Sequence, residues 1–226
     1  MTTPVLLDIT DGVAKITLNR PEKDNALDQP MADALLATAL HCSNDSKVRC
    51  VVLTGAGKMF CVGGYISELA SNGDAITPFL TRLAGTLHQA LSQFAAMNKP
   101  MITLVNGTTA GAGLRVAISG DIVLADPQAK FTTAYLGIGV TPDGGMTWLL
   151  PRLMGMRAAL AAQLSAGAVS AIEQARKLLH ESFSSGFASQ MGRELSSITA
   201  AGNGPEGRKG INAFLAKRKP NFQGSA

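Results

Sequence analysis

Aromatic side chains are scarce in this chain: 8 Phe, 2 Tyr and a single Trp among 226 residues. They do not interleave with the basic residues, which argues against a groove that stacks bases beside phosphate-binding cations. Charge is thin as well, at 16% of residues, and the net +4 comes from Lys and Arg spread along the chain. The one basic cluster, "KRKP" at 217–220, reads as a solvated tail. Three cysteines, Cys42, Cys50 and Cys61, form no CxxC pair and share no ligand spacing with the three histidines. A disulfide framework and a metal site are therefore not expected, and unpaired thiols suit a reducing compartment. No apolar run approaches the ~20 residues that span a bilayer, and "MTTPVLLDIT" lacks the pattern of a secretory leader. The expectation is a cytoplasmic protein with no nucleic-acid or membrane partner and no cofactor of its own.

What the chain does have is apolar residues, 46% of the total, and 24 glycines. Its length allows one substantial domain with a well-filled core. "VLLDITDGVAKITL" reads as a hairpin turning at Asp11-Gly12. "NRPEKDNALD" (19–28) is loop chemistry, "MADALLATAL" (31–40) a helix and "VRCVVLTG" (48–55) a buried strand. Helical periodicity runs over 79–97, and "DIVLAD" (121–126) is a further strand. A helix is expected after "TPDGG", running toward Pro151. From Glu173 onward apolar residues recur at three- and four-residue steps, one amphipathic helix or two, weakened at Gly186. "AAGNGPEG" (200–207) reads as a linker. Strands alternating with helices place the chain in the α/β class.

Two stretches repeat one arrangement of buried strand, glycine-rich backbone and helix. They are "VVLTGAGKMFCVGGYISEL" and "MITLVNGTTAGAGLRVA". The first turn of a helix leaves about four N–H groups without intrahelical partners, and small residues let a ligand come close to them. Two such termini converging would form an oxyanion hole, in which a single donor is worth ~2.7–4 kcal/mol of transition-state stabilisation. Taken singly, each loop is equally a tight turn with close helix packing. Neither is a nucleotide loop: "GAGLRV" fails GxGxxG, and "GAGKMF" lacks the spacing and the Ser or Thr of a phosphate loop.

Both loops, in this order and among these neighbours, resemble the enoyl-CoA hydratase/isomerase (crotonase) family. The matching pieces are "ITLNRPEKDNALD", "VVLTGAGKMFCVGG", "KPMITLVNGTTAGAG", "SGDIVLAD", "AKFTTAYLGIGVTPDGG", "LPRLMG" and "AFLAKRKPNF". The resemblance implies a spiral of ββα units over 1–170 with a C-terminal helical region over 171–226, shortened here. It implies an acyl-CoA thioester as substrate, coenzyme A entering as part of it, and assembly as trimers or paired trimers. It implies that the N–H groups of Gly64 and Ala112 hold the thioester oxygen as it becomes an enolate. The substrate-contacting loops match Asn25, Ala26 and Leu27, and the segment containing Cys61, Gly63, Tyr65 and Ile66. Fatty-acid metabolism is the implied setting.

The sequence also departs from that family. Its hydratases use two glutamates, and those positions hold Arg115 and Tyr135 here. Arginine stays protonated, and a tyrosine of ordinary pKa near ~10 is a poor base. Efficient hydration is not expected, and Arg115 and Tyr135 become candidate substrate-binding residues. One carboxylate, Asp143 in "VTPDGG", occupies a position that some family isomerases use as a single base. Asp143 is equally placed to cap the following helix. Arg115 either lies near Asp143 or sits on a solvated helix face. Tyr65 either narrows an acyl pocket or is a surface aromatic, and Glu68 is a further carboxylate candidate. His88 reads as structural and Trp148 as core. A few dozen residues of the family pattern, including its Gly-Leu-Val strand, are missing near Ala175. The expectation is an enoyl-CoA isomerase with Asp143 as base. The alternatives are a catalytically degenerate acyl-CoA-binding protein, and a dehalogenase- or hydrolase-like enzyme with Asp143 as nucleophile.

Overall fold

The first 18 residues set the edge of a sheet. Strands β1 (Val5–Thr10) and β2 (Val13–Leu18) form the expected antiparallel hairpin, turning through left-handed Asp11 (φ 50°) and Gly12 (φ 82°) in this computed structural model, which describes residues 3–164 and 167–222. Alternation buries Ala14, Ile16 and Leu18 completely. Helix α1 (Gln29–Asn44) is longer than the apolar pattern indicated. Asp28 caps it by accepting from the Met31 amide at 3.1 Å, and Lys99 Nζ donates to the Asp45 carbonyl just past its end.

Strands then alternate between two sheets. After β3 (Cys50–Gly55) and β4 (Met59–Cys61) come α2 (Ile66–Ser71) and α3 (Ile76–Ala96). The next turn is β5 (Met101–Val105), β6 (Thr108–Ala110) and α4 (Ala112–Ala117), and the last is β7 (Ile122–Ala125) with β8 (Phe131–Thr132). One sheet has the order β1-β2-β3-β5-β7 and the other β4-β6-β8, with every pair after the hairpin parallel. This is the expected ββα spiral. Strands β4 and β6 lie where the sequence read as glycine-rich loop. They are three residues long and too short to show a period.

Contacts divide the chain into two compact units. The first comprises Met1–Gly64 and Thr86–Thr132, the second Tyr65–Gly85 and Thr133–Ala226. The core of the first packs Met31, Leu35, Leu87 and Leu91 over Ile16, Leu18, Leu53 and Phe60. Burying each such side chain contributes ~1.5–3 kcal/mol. At the far edge of the sheet β7 is exposed along its whole length, with Ile122 at 54% and Leu124 at 57%.

The second unit is helical beyond residue 145. Helix α5 (Met146–Met154) does not stop at Pro151 but continues through it for one more turn. It is followed by α6 (Met156–Leu164), α7 (Val169–Glu181), α8 (Phe187–Asn203) and α9 (Pro205–Leu215). The break at Gly186 falls where the sequence weakened. Ser165 and Ala166, in the piece of the family pattern that precedes Ala175, lie outside the described residues. The linker expected at 200–207 is instead helix on both sides of one extended residue, Gly204. Glycine marks close approach there rather than freedom: a Cβ on Gly207 would stand 2.1 Å from the Ala201 carbonyl oxygen. Among the described residues no helix is long and apolar enough to cross a membrane.

Candidate active site

In the first unit the two glycine-rich loops lie side by side. Parallel pairing of β4 with β6 places Met59 opposite Thr108 and Cys61 opposite Thr109. Just beyond, Gly63 (φ +87°) passes so close to the second loop that a Cβ there would be 2.7 Å from the Ala110 oxygen and 3.3 Å from the Ala112 nitrogen. Gly113 is as constrained from the other side, since its Cβ would be 2.2 Å from the Cys61 oxygen. Both contacts are backbone on backbone, which only glycine permits.

The first loop is also tied to the chain before α1. The Leu27 amide donates to the Gly63 carbonyl at 2.7 Å, and Leu27 and Gly64 form an isolated parallel bridge. In that register the bridge uses the groups flanking Gly64, so the Gly64 amide itself points away from Leu27. Ala112 opens α4 after Gly111 (φ 51°, ψ −127°), and as the first helical residue its amide has no partner within the helix. Gly64 and Ala112 thus sit on adjacent segments of one unit.

The other residues of this unit are mostly walls. Asn25 is fully buried with both amide hydrogens committed, to the Ala56 and Met59 carbonyls at 2.9 Å each. Its side chain holds the loops, and Ala26 and Leu27 are buried beside it. Burial pushes the Cys61 thiol up to about 12, so it stays neutral. Arg115 is not on a solvated face: it is 3% exposed, and Nη1 donates to Ser119 Oγ at 2.8 Å. The helix there is short and covered on all sides, so single-turn position could not reveal its direction. His88 is buried in α3, in keeping with a structural part.

The second unit holds a buried acidic cluster of its own. Tyr135 begins a short 3-10 turn (Tyr135–Ile138), and its hydroxyl donates to Asp143 Oδ1 at 2.8 Å. Asp143 is 3% exposed and Tyr135 5%. Burial, then the Asp143 charge, holds the phenol well above its usual range, so Tyr135 remains a donor. Asp143 does not cap α5. The amide of Met146 donates to the Asp143 backbone carbonyl at 3.2 Å, and the amides of Gly145 and Thr147 both donate to Glu194. Glu194 reaches across from α8, fully buried, with Oε2 on Gly145 and Oε1 on the amide (2.8 Å) and hydroxyl of Thr147. Gln190, one turn earlier, donates to Thr147 Oγ1 at 2.7 Å and to the Leu178 carbonyl at 2.8 Å. Desolvation raises the Glu194 carboxyl to about 7 against the lowering effect of its three donors, and the nearby Asp143 adds to the rise.

Sequence reasoning missed Glu194, Gln190 and Thr147. A signal was present: residues 187, 190, 191, 194 and 198 share one face at helical spacing, so two polar residues lay on the stripe of Phe187, Met191 and Ile198. Trp148 is half-buried and held by its surroundings. It packs edge-on to Phe187 at 5.3 Å, under Arg152 at 3.8 Å, with Nε1 donating to the Ser185 carbonyl. Tyr65 and Glu68 are half-buried at the start of α2. Among the described residues no group of three or more His, Cys, Asp or Glu is arranged to hold a metal.

The family profile described as "Enoyl-CoA hydratase/isomerase" matches residues 8–177. The chain is 32% identical to 1,2-epoxyphenylacetyl-CoA isomerase of Escherichia coli, covering 97% of this chain and 98% of that protein. It is 28% identical to 2,3-dehydroadipyl-CoA hydratase of the same organism, covering 94% and 95%. Among solved structures, a carnitinyl-CoA dehydratase from Mycobacterium thermoresistibile superposes with a TM-score of 0.83 over 100% of this chain and 93% of that one, at 18% identity. The first of these alignments runs to 258 positions, more than this chain's 226 residues, so that relative carries segments missing here.

Proposed function

The chain belongs to the enoyl-CoA hydratase/isomerase family, and from that premise we propose that it moves a double bond in an acyl-CoA thioester, with Asp143 as the single base. The reaction starts at the carbon next to the thioester carbonyl. As the Asp143 carboxylate removes a proton there, negative charge flows to the thioester oxygen, a charge that the family resemblance assigns to the amides of Gly64 and Ala112. The same carboxyl then returns the proton two carbons along the chain, so one group serves as base and acid. Coenzyme A takes part only as a portion of the substrate.

The observation that carries this reading is that Asp143 is buried, hydrogen-bonded by Tyr135 and relieved of capping α5 by Glu194. A buried carboxylate oriented by a neutral donor is what a proton-transfer reaction needs. Hydration would require a second group to activate water. The family's two glutamate positions hold a buried arginine and a tyrosine kept protonated. The epoxyphenylacetyl-CoA relative is an isomerase by name, which favours the same side.

Conversion of a 3-enoyl-CoA to the conjugated 2-enoyl-CoA, followed by absorbance, tests the assignment. Asp143→Asn should lower kcat by about 100-fold or more, the scale of a lost general base. Equal rates in the two proteins would remove Asp143 from the mechanism. A second reading, an acyl-CoA-binding protein without turnover, draws support from the missing segments. Calorimetry showing tight binding of a CoA ester, with no turnover over a substrate panel, would favour it. Trapping a covalent ester on Asp143 would point instead to nucleophilic chemistry.

A further inference from the structure

Glu194 has no place in the reaction as written above, yet its carboxylate is engaged through both oxygens. It is fully buried, and its two oxygens accept three hydrogens from the turn that carries Asp143. Oε2 serves the Gly145 amide alone, while Oε1 serves both the amide and the hydroxyl of Thr147. Since the Thr147 hydroxyl donates to Glu194, its oxygen is open to Gln190 Nε2, so the clamp is braced from α8 at two successive turns.

We propose that Glu194 is the positioning residue for Asp143: its ionised carboxylate fixes residues 143–147, and gain of a proton by Glu194 releases the turn and slows proton transfer. The proposal rests on the isomerase reading of Asp143. Its chemistry follows from counting hydrogens. An ionised carboxylate accepts all three donors, whereas a protonated one carries a hydrogen of its own on one oxygen. If that oxygen is Oε2, the Gly145 amide meets another donor. If it is Oε1, the two Thr147 donors compete with it. Either way a buried N–H or O–H near Asp143 loses its partner, and a buried unpaired donor drives the backbone to rearrange.

Asp143 is the charged neighbour that acts on Glu194, and Tyr135 is the other titratable group beside the pair. Three charges on the helices packed against α8 are engaged elsewhere. Glu181 of α7 pairs with Arg193 at 3.0 Å, Arg152 of α5 lies over Trp148, and Glu206 of α9 accepts from the Ser170 amide at 3.1 Å. The Glu194 carboxyl titrates at about 7, so the clamp tightens as pH rises through neutrality.

The experiment combines pH profiles of 3-enoyl-CoA isomerisation with amide resonances of the unmodified protein. In the wild type, kcat should rise with pH to a plateau through an ionisation near 7, and the Gly145 and Thr147 amide shifts should titrate with the same midpoint. Glu194→Gln keeps the shape and one acceptor oxygen but cannot ionise. It should lower kcat by roughly 10- to 100-fold, flatten the profile between about pH 6 and 8, and leave KM within about twofold. Amide shifts in the wild type that ignore pH overturn the proposal, whether or not the variant folds. A Glu194→Gln enzyme with the wild-type profile overturns it too, and does so without touching Asp143 if Asp143→Asn is inactive. Full activity in Asp143→Asn removes the base and with it any need for its clamp.

Discussion

Glu194 illustrates what burial does to a single side chain. A carboxyl next to the N-terminus of α5, with three hydrogen-bond donors, would be expected to ionise easily. Desolvation outweighs both effects and lifts it to about 7. Its ordinary value is 4.5, so between there and about 7 the folded state holds the extra proton. Unfolding then releases protons, and stability falls as pH rises across that window, by about 3 kcal/mol once both states are ionised. Thermal unfolding should therefore show Tm declining from about pH 5 to pH 8, with Glu194→Gln losing most of that slope. A wild-type Tm that rises through the same range would mean that the hydrogen bonds, not desolvation, control this group. The pH that favours the ionised clamp is thus the pH at which it costs most to keep, a common trade at sites built for function. Asp143 stood out as a candidate because it occupies a position that the family resemblance marks, while its turn context alone suggested a cap. For Glu194 the sequence shows only a polar residue on an apolar helix stripe, since its partners are backbone amides 47 and 49 positions away.

Helices and strands divide by how much local signal each carries. The hairpin, α1, β3, α3 and the break at Gly186 follow from period, turn residues and propensity, and each appears close to where the pattern puts it. The short strands β4 and β6 do not, because three residues exist as strand only through their partners. The expected linker at 200–207 failed for a related reason. Glycine and proline signal both a flexible joint and a tight helix crossing, and only the neighbour distinguishes them. This gives a sharp prediction. In a linker Gly207→Ala would be neutral or stabilising through the unfolded chain. Against the Ala201 carbonyl it should destabilise by ~1–3 kcal/mol, lowering the urea midpoint without changing the slope of the transition. An unchanged midpoint would restore the linker.

On the scale of the whole molecule, the exposed edge is what needs explaining. Ile122 and Leu124 are each more than half exposed, on a strand whose outer hydrogen-bonding groups have no strand partner in its sheet. Apolar surface on a free edge is a liability unless another surface covers it. We propose that a second copy does so and that the protein is a homo-oligomer, a trimer or pair of trimers by its family resemblance. Sedimentation velocity should give a single species several times the 23.4 kDa chain mass, and Leu124→Lys should shift it toward monomer. A wild-type monomer at micromolar concentration would sink the idea. The sequence alone determined the α/β class and the glycine loops, because period and turn chemistry are properties of neighbouring residues, and its motif order carried the family resemblance with the ββα spiral that it implies. Only the tertiary structure decided that Arg115 is buried, that Glu194 rather than Asp143 takes the Gly145 and Thr147 amides, and that Tyr135 meets Asp143. Those facts depend on which distant groups reach the same desolvated space, where burial sets both the partner and the charge of each side chain.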